Sequence, residues 1–161
     1  MPEPAPDNRF PPRWRVILAF AIVPGVAALL MAGVNPGYDG LQDSFERVWR
    51  PAILFALFGA YPIALIVGIP AYLFLRERFK GTWLNCAIAG AAIAGLPWLF
   101  LTMILPSPDQ ASIGGKATVV DGSMTAYGWQ LQLQFTGTIA IYGIAAGILF
   151  WAIATVGTKT R

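Results

Sequence analysis

Histidine is absent from this chain, and cysteine occurs once, at Cys86. Without histidine the chain alone cannot ligate haem through paired imidazoles, run Ser–His acyl chemistry or bind zinc through imidazole. With one cysteine it can form no intramolecular disulfide, no dithiol couple and no Cys-rich metal site. In its apolar surroundings Cys86 reads as a small hydrophobe. Charge is scarce as well, at 12% of residues, where a soluble domain carries about 25%. The scarcity is concentrated: residues 16–34, 52–75, 83–105 and 135–157 contain no Asp, Glu, Lys or Arg. Proton-coupled transport ordinarily works through an intramembrane carboxylate or histidine, and these runs have neither. The expectation is a non-enzymatic protein with no catalytic, cofactor-binding or metal-binding residues.

What remains is apolar mass in blocks of one size. Each uncharged run is 19–24 residues long, the length that crosses a ~30 Å hydrocarbon core at ~1.5 Å per helical residue. The fold class predicted is therefore all-α, an integral membrane four-helix bundle. Residues 1–15 form a Pro-rich cytoplasmic tail, 16–157 the four-span membrane domain and 158–161 a short cytoplasmic tail. Arg13 and Arg15 ahead of the first run suggest a signal peptide. A signal's apolar region is only about 7–15 residues, however, and no small-x-small pattern closes this longer run, so it reads as a retained span.

The basic residues set an orientation. Arg9, Arg13 and Arg15 precede the first span, Arg76, Arg78 and Lys80 crowd the second connection, and Lys159 and Arg161 close the chain. The alternate segments hold only Arg47 and Arg50, beside acidic neighbours, and Lys116. By the positive-inside rule both termini are cytoplasmic. The net charge of +3 follows this topology and forms no patch for nucleic acid. Trp14, Tyr72 and Trp83 near one boundary, and Trp49, Tyr127 and Trp129 near the other, fit an aromatic belt.

The connections carry their own signals. Asn35-Pro36-Gly37 and Asp39-Gly40 read as turns, and Asp43-Ser44-Phe45-Glu46 as a capping box. Leu41, Phe45, Val48 and Trp49 then recur at helical spacing, predicting a short amphipathic helix on the outer interface that Pro51 ends or kinks. The short Arg76–Thr82 connection predicts that the second and third spans pair antiparallel. In the outer loop, residues 106–134, Pro106 and Pro108 stop the third helix. Lys116–Val120 and Ser123–Tyr127 flank Asp121-Gly122, a type I′ hairpin signal. The fourth helix is expected to start outside the bilayer near Ala126.

Lipid tails compete with apolar side chains, so membrane helices associate by close packing, which small residues permit. Ala87, Ala91 and Gly95 recur every four residues in the third span, beside Cys86, Gly90 and Ala94. Gly143-x-x-x-Gly147 does the same in the fourth. These are the helix-packing candidates. Pro24, Pro62, Pro70 and Pro97 free the carbonyls of Phe20, Phe58, Ile66 and Ile93, which a hydroxyl, water or local rewinding must satisfy. Tyr61 and Tyr142 lie deep enough to do so and are the candidate pocket residues.

Three stretches, Gly68-Ile-Pro70-Ala-Tyr72-Leu-Phe-Leu-Arg76, Asp121-Gly122-Ser-Met-Thr125-Ala-Tyr-Gly128-Trp129 and Gly143 through Phe150-Trp151, carry a resemblance. With them the chain resembles the small, uncharacterised four-span inner-membrane proteins common in bacteria. The resemblance implies a bacterial cytoplasmic membrane and no particular activity. It departs from small four-span multidrug exporters, which depend on a membrane-embedded Glu. The leading expectation is an accessory or scaffolding subunit, with the lipid bilayer, other membrane-protein subunits or a second copy as partners. The alternative is an oligomeric transporter or channel for a neutral or lipidic solute. An enzyme would have to assemble its site outside the bilayer from Asp109, Lys116 or Asp121.

Overall fold

The computed structural model describes residues 11–34, 43–78, 81–105 and 107–155. The first ten residues, the expected turns at Asn35-Pro36-Gly37 and Asp39-Gly40, Leu41, Lys80, Pro106 and the tail 158–161 lie outside the described residues. Among those described, four helices are long and apolar enough to cross a membrane: Arg13–Val34, Phe45–Arg76, Trp83–Ile104 and Ala126–Thr155. The chain is mostly helical, with one small three-stranded sheet.

The first span is α1 (Arg13–Val34), which Pro24 enters without ending. The second span changes its winding along its length. It begins as α2 (Ser44–Leu54) and widens into a π-helical stretch at Phe55–Ala60. A single turn, α3 (Tyr61–Ile63), follows, then a second π stretch at Ala64–Gly68 and finally α4 (Ile69–Arg78). Each π stretch lies just ahead of a proline, Pro62 or Pro70. A proline has no N–H to reach back four residues. Here the ladder reaches back five, with Tyr61 N–H on Ala56 O and Ile69 N–H on Ala64 O. Local rewinding is how this helix absorbs its prolines.

Two expectations about its entry are corrected. Asp43 caps α2 by accepting from Phe45 N–H at 2.9 Å, one residue earlier than a capping box requires. Glu46 pairs with Arg50 at 3.1 Å, one turn on, and does not reach back to the cap. Pro51 neither ends nor separates an interfacial helix. It lies buried inside α2, which runs on into the span. Phe45 and Trp49 stack at 5.7 Å on the exposed side, so the amphipathic segment is the first turns of the second span.

The third span is α5 (Trp83–Ile104), capped by the Thr82 hydroxyl accepting from Asn85 N–H at 3.3 Å. The fourth is α6 (Ala126–Thr155), at 30 residues about 45 Å long and so longer than the hydrocarbon core. The most extensive packing is α5 on α6; α1 lies on α6, and the second span lies on α1. The second and third spans, although joined by the shortest connection, touch only slightly. The expected close pair is therefore replaced by an arc in the order second, first, fourth, third span, open between its ends.

The burial pattern is compatible with a multi-pass membrane protein. The most buried apolar residues include Ala19, Ala28, Ala32, Ala87 and Ala154, and none of the large side chains described is fully buried. Ile66 and Ile104 point outward at 74% and 75% exposure. Small residues inside and large ones outside suit helices that meet each other closely and face lipid elsewhere.

The outer loop holds a meander of β1 (Gln110–Ile113), β2 (Lys116–Val120) and β3 (Ser123–Met124). Asp121 and Gly122 both have positive φ, at 50° and 71°, as a type I′ turn requires. The expected hairpin is present, but its second strand ends at Met124, and Tyr127 belongs to α6. A second tight turn, Gly114-Gly115 with φ of 58° and 77°, adds β1 to the other edge. The all-α expectation is thus corrected by a sheet one strand larger than the hairpin.

Thr125 fastens this sheet to α6. Its N–H donates to Thr118 O at 2.9 Å, and its hydroxyl donates to Ala117 O at 2.8 Å. The same hydroxyl accepts from Gly128 N–H at 3.1 Å, capping the helix. Gly128 lets the first turn lie against the Thr118 backbone, where any side chain would collide with Thr118 O. Thr118 and Val119 are buried as a result. Thr125→Val keeps the volume and the N–H bond to Thr118 O but removes the cap and the hydroxyl's bond to Ala117 O together, with an expected loss of about 1–2 kcal/mol. Hydrogen exchange should quicken at the amides of residues 125–129; unchanged exchange there would show that the tie is not what holds the sheet.

Candidate functional site

The seam between α5 and α6 forms one wall of the site. A methyl group on Gly90 would run into Gly143 O, and one on Gly143 into Gly90 O, with Ala94 Cβ 2.7 Å away. One on Gly147 would meet Cys86 O, with Ala87 Cα at 3.1 Å. Here the two backbones touch each other directly. Of the packing candidates, Ala87, Gly95, Gly143 and Gly147 are buried on this seam, Gly95 against Ala140 and Thr136. Ala91 is only half-buried. The closest approaches fall on the neighbouring ladder Cys86, Gly90, Ala94, where Cys86 O meets Gly147 and Gly90 meets Gly143.

The opposite wall is the second span, held off α5 and fixed to α1. The Tyr61 hydroxyl donates to Ala21 O at 2.7 Å, crossing above Gly25, where an added methyl would lie 3.2 Å from that oxygen. Ala21 O is the carbonyl next to the one Pro24 frees, so the bond lands where the α1 ladder is interrupted. Phe20, Tyr72 and Phe150 then meet edge-on at 6.0, 5.1 and 5.8 Å between centroids, joining α1, α4 and α6.

Between these walls lies a cavity of about 1000 Å³. Leu54, Trp98 and Phe135 bound one end, with Trp98 edge-on to Phe135 at 5.8 Å. Arg76, Gly81 and Asn85 bound the other. Asn85 and Trp98 are thirteen residues apart on α5, which puts the ends about 20 Å from one another. The lining in between is almost wholly apolar, and Ala60, Ala64 and Gly68 of the second span face it at four-residue spacing. That third small-residue ladder was readable in the sequence. It reads as a packing seam by spacing alone, yet only Gly68 is buried, with Phe20 Cε1 3.3 Å from the place of its missing Cβ, while Ala60 and Ala64 border the cavity.

The two candidate pocket tyrosines separate. Tyr142 lines the cavity, whereas Tyr61 is committed to α1 and is not part of the lining. The outer charged residues are not gathered. Asp109 and Asp121 sit at one end of the β1–β2 pair and Lys116 at the other, where its ammonium stands 5.2 Å from the Tyr127 ring centroid. No group of three His, Cys, Asp or Glu side chains assembles among the described residues. Apart from spacing, no sequence signal marked Phe20, Phe150 or the Trp151 indole, which donates to Gly81 O at 3.0 Å beside the Arg76 end.

Chemically, such a cavity accepts hydrocarbon along its length and a polar or anionic group at one end. No family, curated protein or solved structure matches the chain. The site therefore rests on its geometry, and the geometry rests on the seam. Gly143→Val would force the α5 and α6 backbones apart, at an expected cost of about 1–3 kcal/mol. Thermal unfolding in mild detergent should show a lowered Tm; an unchanged Tm would mean that the helices are not in backbone contact.

Proposed function

We propose that this chain is a non-enzymatic multi-pass protein of a bacterial cytoplasmic membrane that holds a lipidic molecule in the cavity between its spans. Both termini face the cytoplasm in this reading, which puts the Arg76 end of the cavity at the cytoplasmic boundary. The supporting observation is the cavity itself: four spans of membrane length enclose a long apolar space instead of closing on one another. No charged residue interrupts its interior, so binding and release of a lipidic solute need no ion coupling. Of the two functions the sequence suggests, the cavity supports lipidic-solute handling.

The test is retention and displacement. In lipid nanodiscs, native mass spectrometry is expected to show one amphiphile retained per chain. A methyl added at Gly59, which lines the cavity, meets nothing within 4 Å, so the side chain of Gly59→Phe starts in open space there. That variant should fold normally and lose the bound molecule; a wild-type chain that retains none would sink the proposal.

A second reading, the accessory or scaffolding subunit, is favoured by the outer sheet. Among the described residues strand β1 leaves one edge unpaired, and Ile113 and Val120 stand 58% and 43% exposed. Such an edge can add a partner's strand. It predicts a co-purifying membrane subunit that is lost on Ile113→Lys, whereas the cavity reading predicts that this variant retains its amphiphile.

A further inference from the structure

We propose that the cavity's occupant is an anionic phospholipid, its phosphate at Arg76 and one acyl chain running toward Trp98. The proposal rests on the cavity being a hydrocarbon site and adds the headgroup and the direction. The lining is lopsided. Arg76 is the only charged residue among those described around the cavity, and Asn85, the only side-chain amide there, lies at the same end. A guanidinium is the side chain best matched to a phosphate, which it can bind through two parallel N–H groups. Asn85 can donate or accept beside it, as glycerol and ester oxygens require.

The dimensions agree. One leaflet contributes about 15 Å of a ~30 Å hydrocarbon core, and the cavity is about 20 Å long. An acyl chain and its glycerol therefore fit with the phosphate at the mouth. At the Arg76 mouth a zwitterion's own cation would offset the attraction of the guanidinium, so a net anion is favoured. Arg78 is turned elsewhere. Its guanidinium lies 4.2 Å from the centroid of Phe74, a 56%-exposed ring that takes no part in the lining. The two arginines thus provide a test and its control on one helix.

The experiment uses the full chain in nanodiscs with two photoreactive probes, phosphatidylglycerol and phosphatidylcholine, each carrying a diazirine on one acyl chain. Both should label the cavity-lining stretches of α5 and the second span. Phosphatidylglycerol should be preferred about fivefold, the weight of one basic side chain toward an anionic lipid. Arg76→Gln should erase the preference, Arg78→Gln should keep it, and Gly59→Phe should abolish cavity labelling by both. Direct competition of the probes on the wild-type chain reads the preference even where a variant fails to fold. Equal labelling in the wild type, or a preference that survives Arg76→Gln, overturns the headgroup assignment while leaving the hydrocarbon site standing. Absence of cavity labelling by either probe, or cross-links to a second copy of the chain in its place, overturns both.

Discussion

Within hydrocarbon a helix gains nothing by exchanging lipid tails for a neighbour's apolar side chains, so stable contact has to come from closeness. The α5–α6 seam meets that constraint by removing side chains altogether. At Gly90, Gly143 and Gly147 the carbonyl of one helix occupies the place where the other would carry a Cβ. At that range Cα–H groups lie against carbonyl oxygens, an attraction too weak to matter singly and favourable in series. The rest of the bundle depends on this pair. Alpha-helix α1 leans on α6, and the second span leans on α1.

The cavity follows from where that logic stops. The second span also carries a small-residue ladder, Ala60, Ala64 and Gly68, but its axis is re-set twice by π-helical turns ahead of Pro62 and Pro70. A widened turn shifts the facing of everything after it. Its anchors then lie on other faces, through the Tyr61–Ala21 hydrogen bond and the Phe20–Tyr72–Phe150 cluster, and both draw it toward α1. Gly68 is buried beside Phe20, and Ala60 and Ala64 are left bordering space. An unpaired small-residue face is a poor contact surface for another helix at a distance and a good wall for a flexible chain, which is how a packing motif becomes the side of a pocket.

What the sequence made legible divides along physical lines. Span number and approximate ends were readable because a missing charge is a property of composition. The Asp121-Gly122 turn was readable because both residues must adopt positive φ. Gly114-Gly115 carries the same signal, and β1 was the overlooked consequence. Ala91 and Gly90 mark the opposite case. Two ladders one residue apart differ by only about 100° around a helix, and a periodic pattern does not say which one meets the partner. Gly90 rather than Ala91 faces the carbonyl of Gly143, because a Cβ at that place would collide with it. The cavity was the least legible part. It depends on the order of spans around the arc, and the shortest connection in the chain joins the two spans that pack least.

Helix α6 ties these parts together. Its glycines build the seam, Tyr142 and Phe150 line the cavity, Phe150 completes the aromatic cluster, and Gly128 and Thr125 seat the outer sheet. At about 45 Å it is longer than a ~30 Å hydrocarbon layer, and its first turn carries the sheet through Thr125 and Gly128. A rotation of α6 would turn the cavity wall and the sheet by the same angle, because a continuous helix does not twist freely between them. Substitutions on α6 that share a partner will therefore not add independently. The same continuity makes the two functional readings mechanically compatible: a lipidic molecule pressing on Tyr142 and Phe150 and a partner strand pairing with β1 would act on one rod.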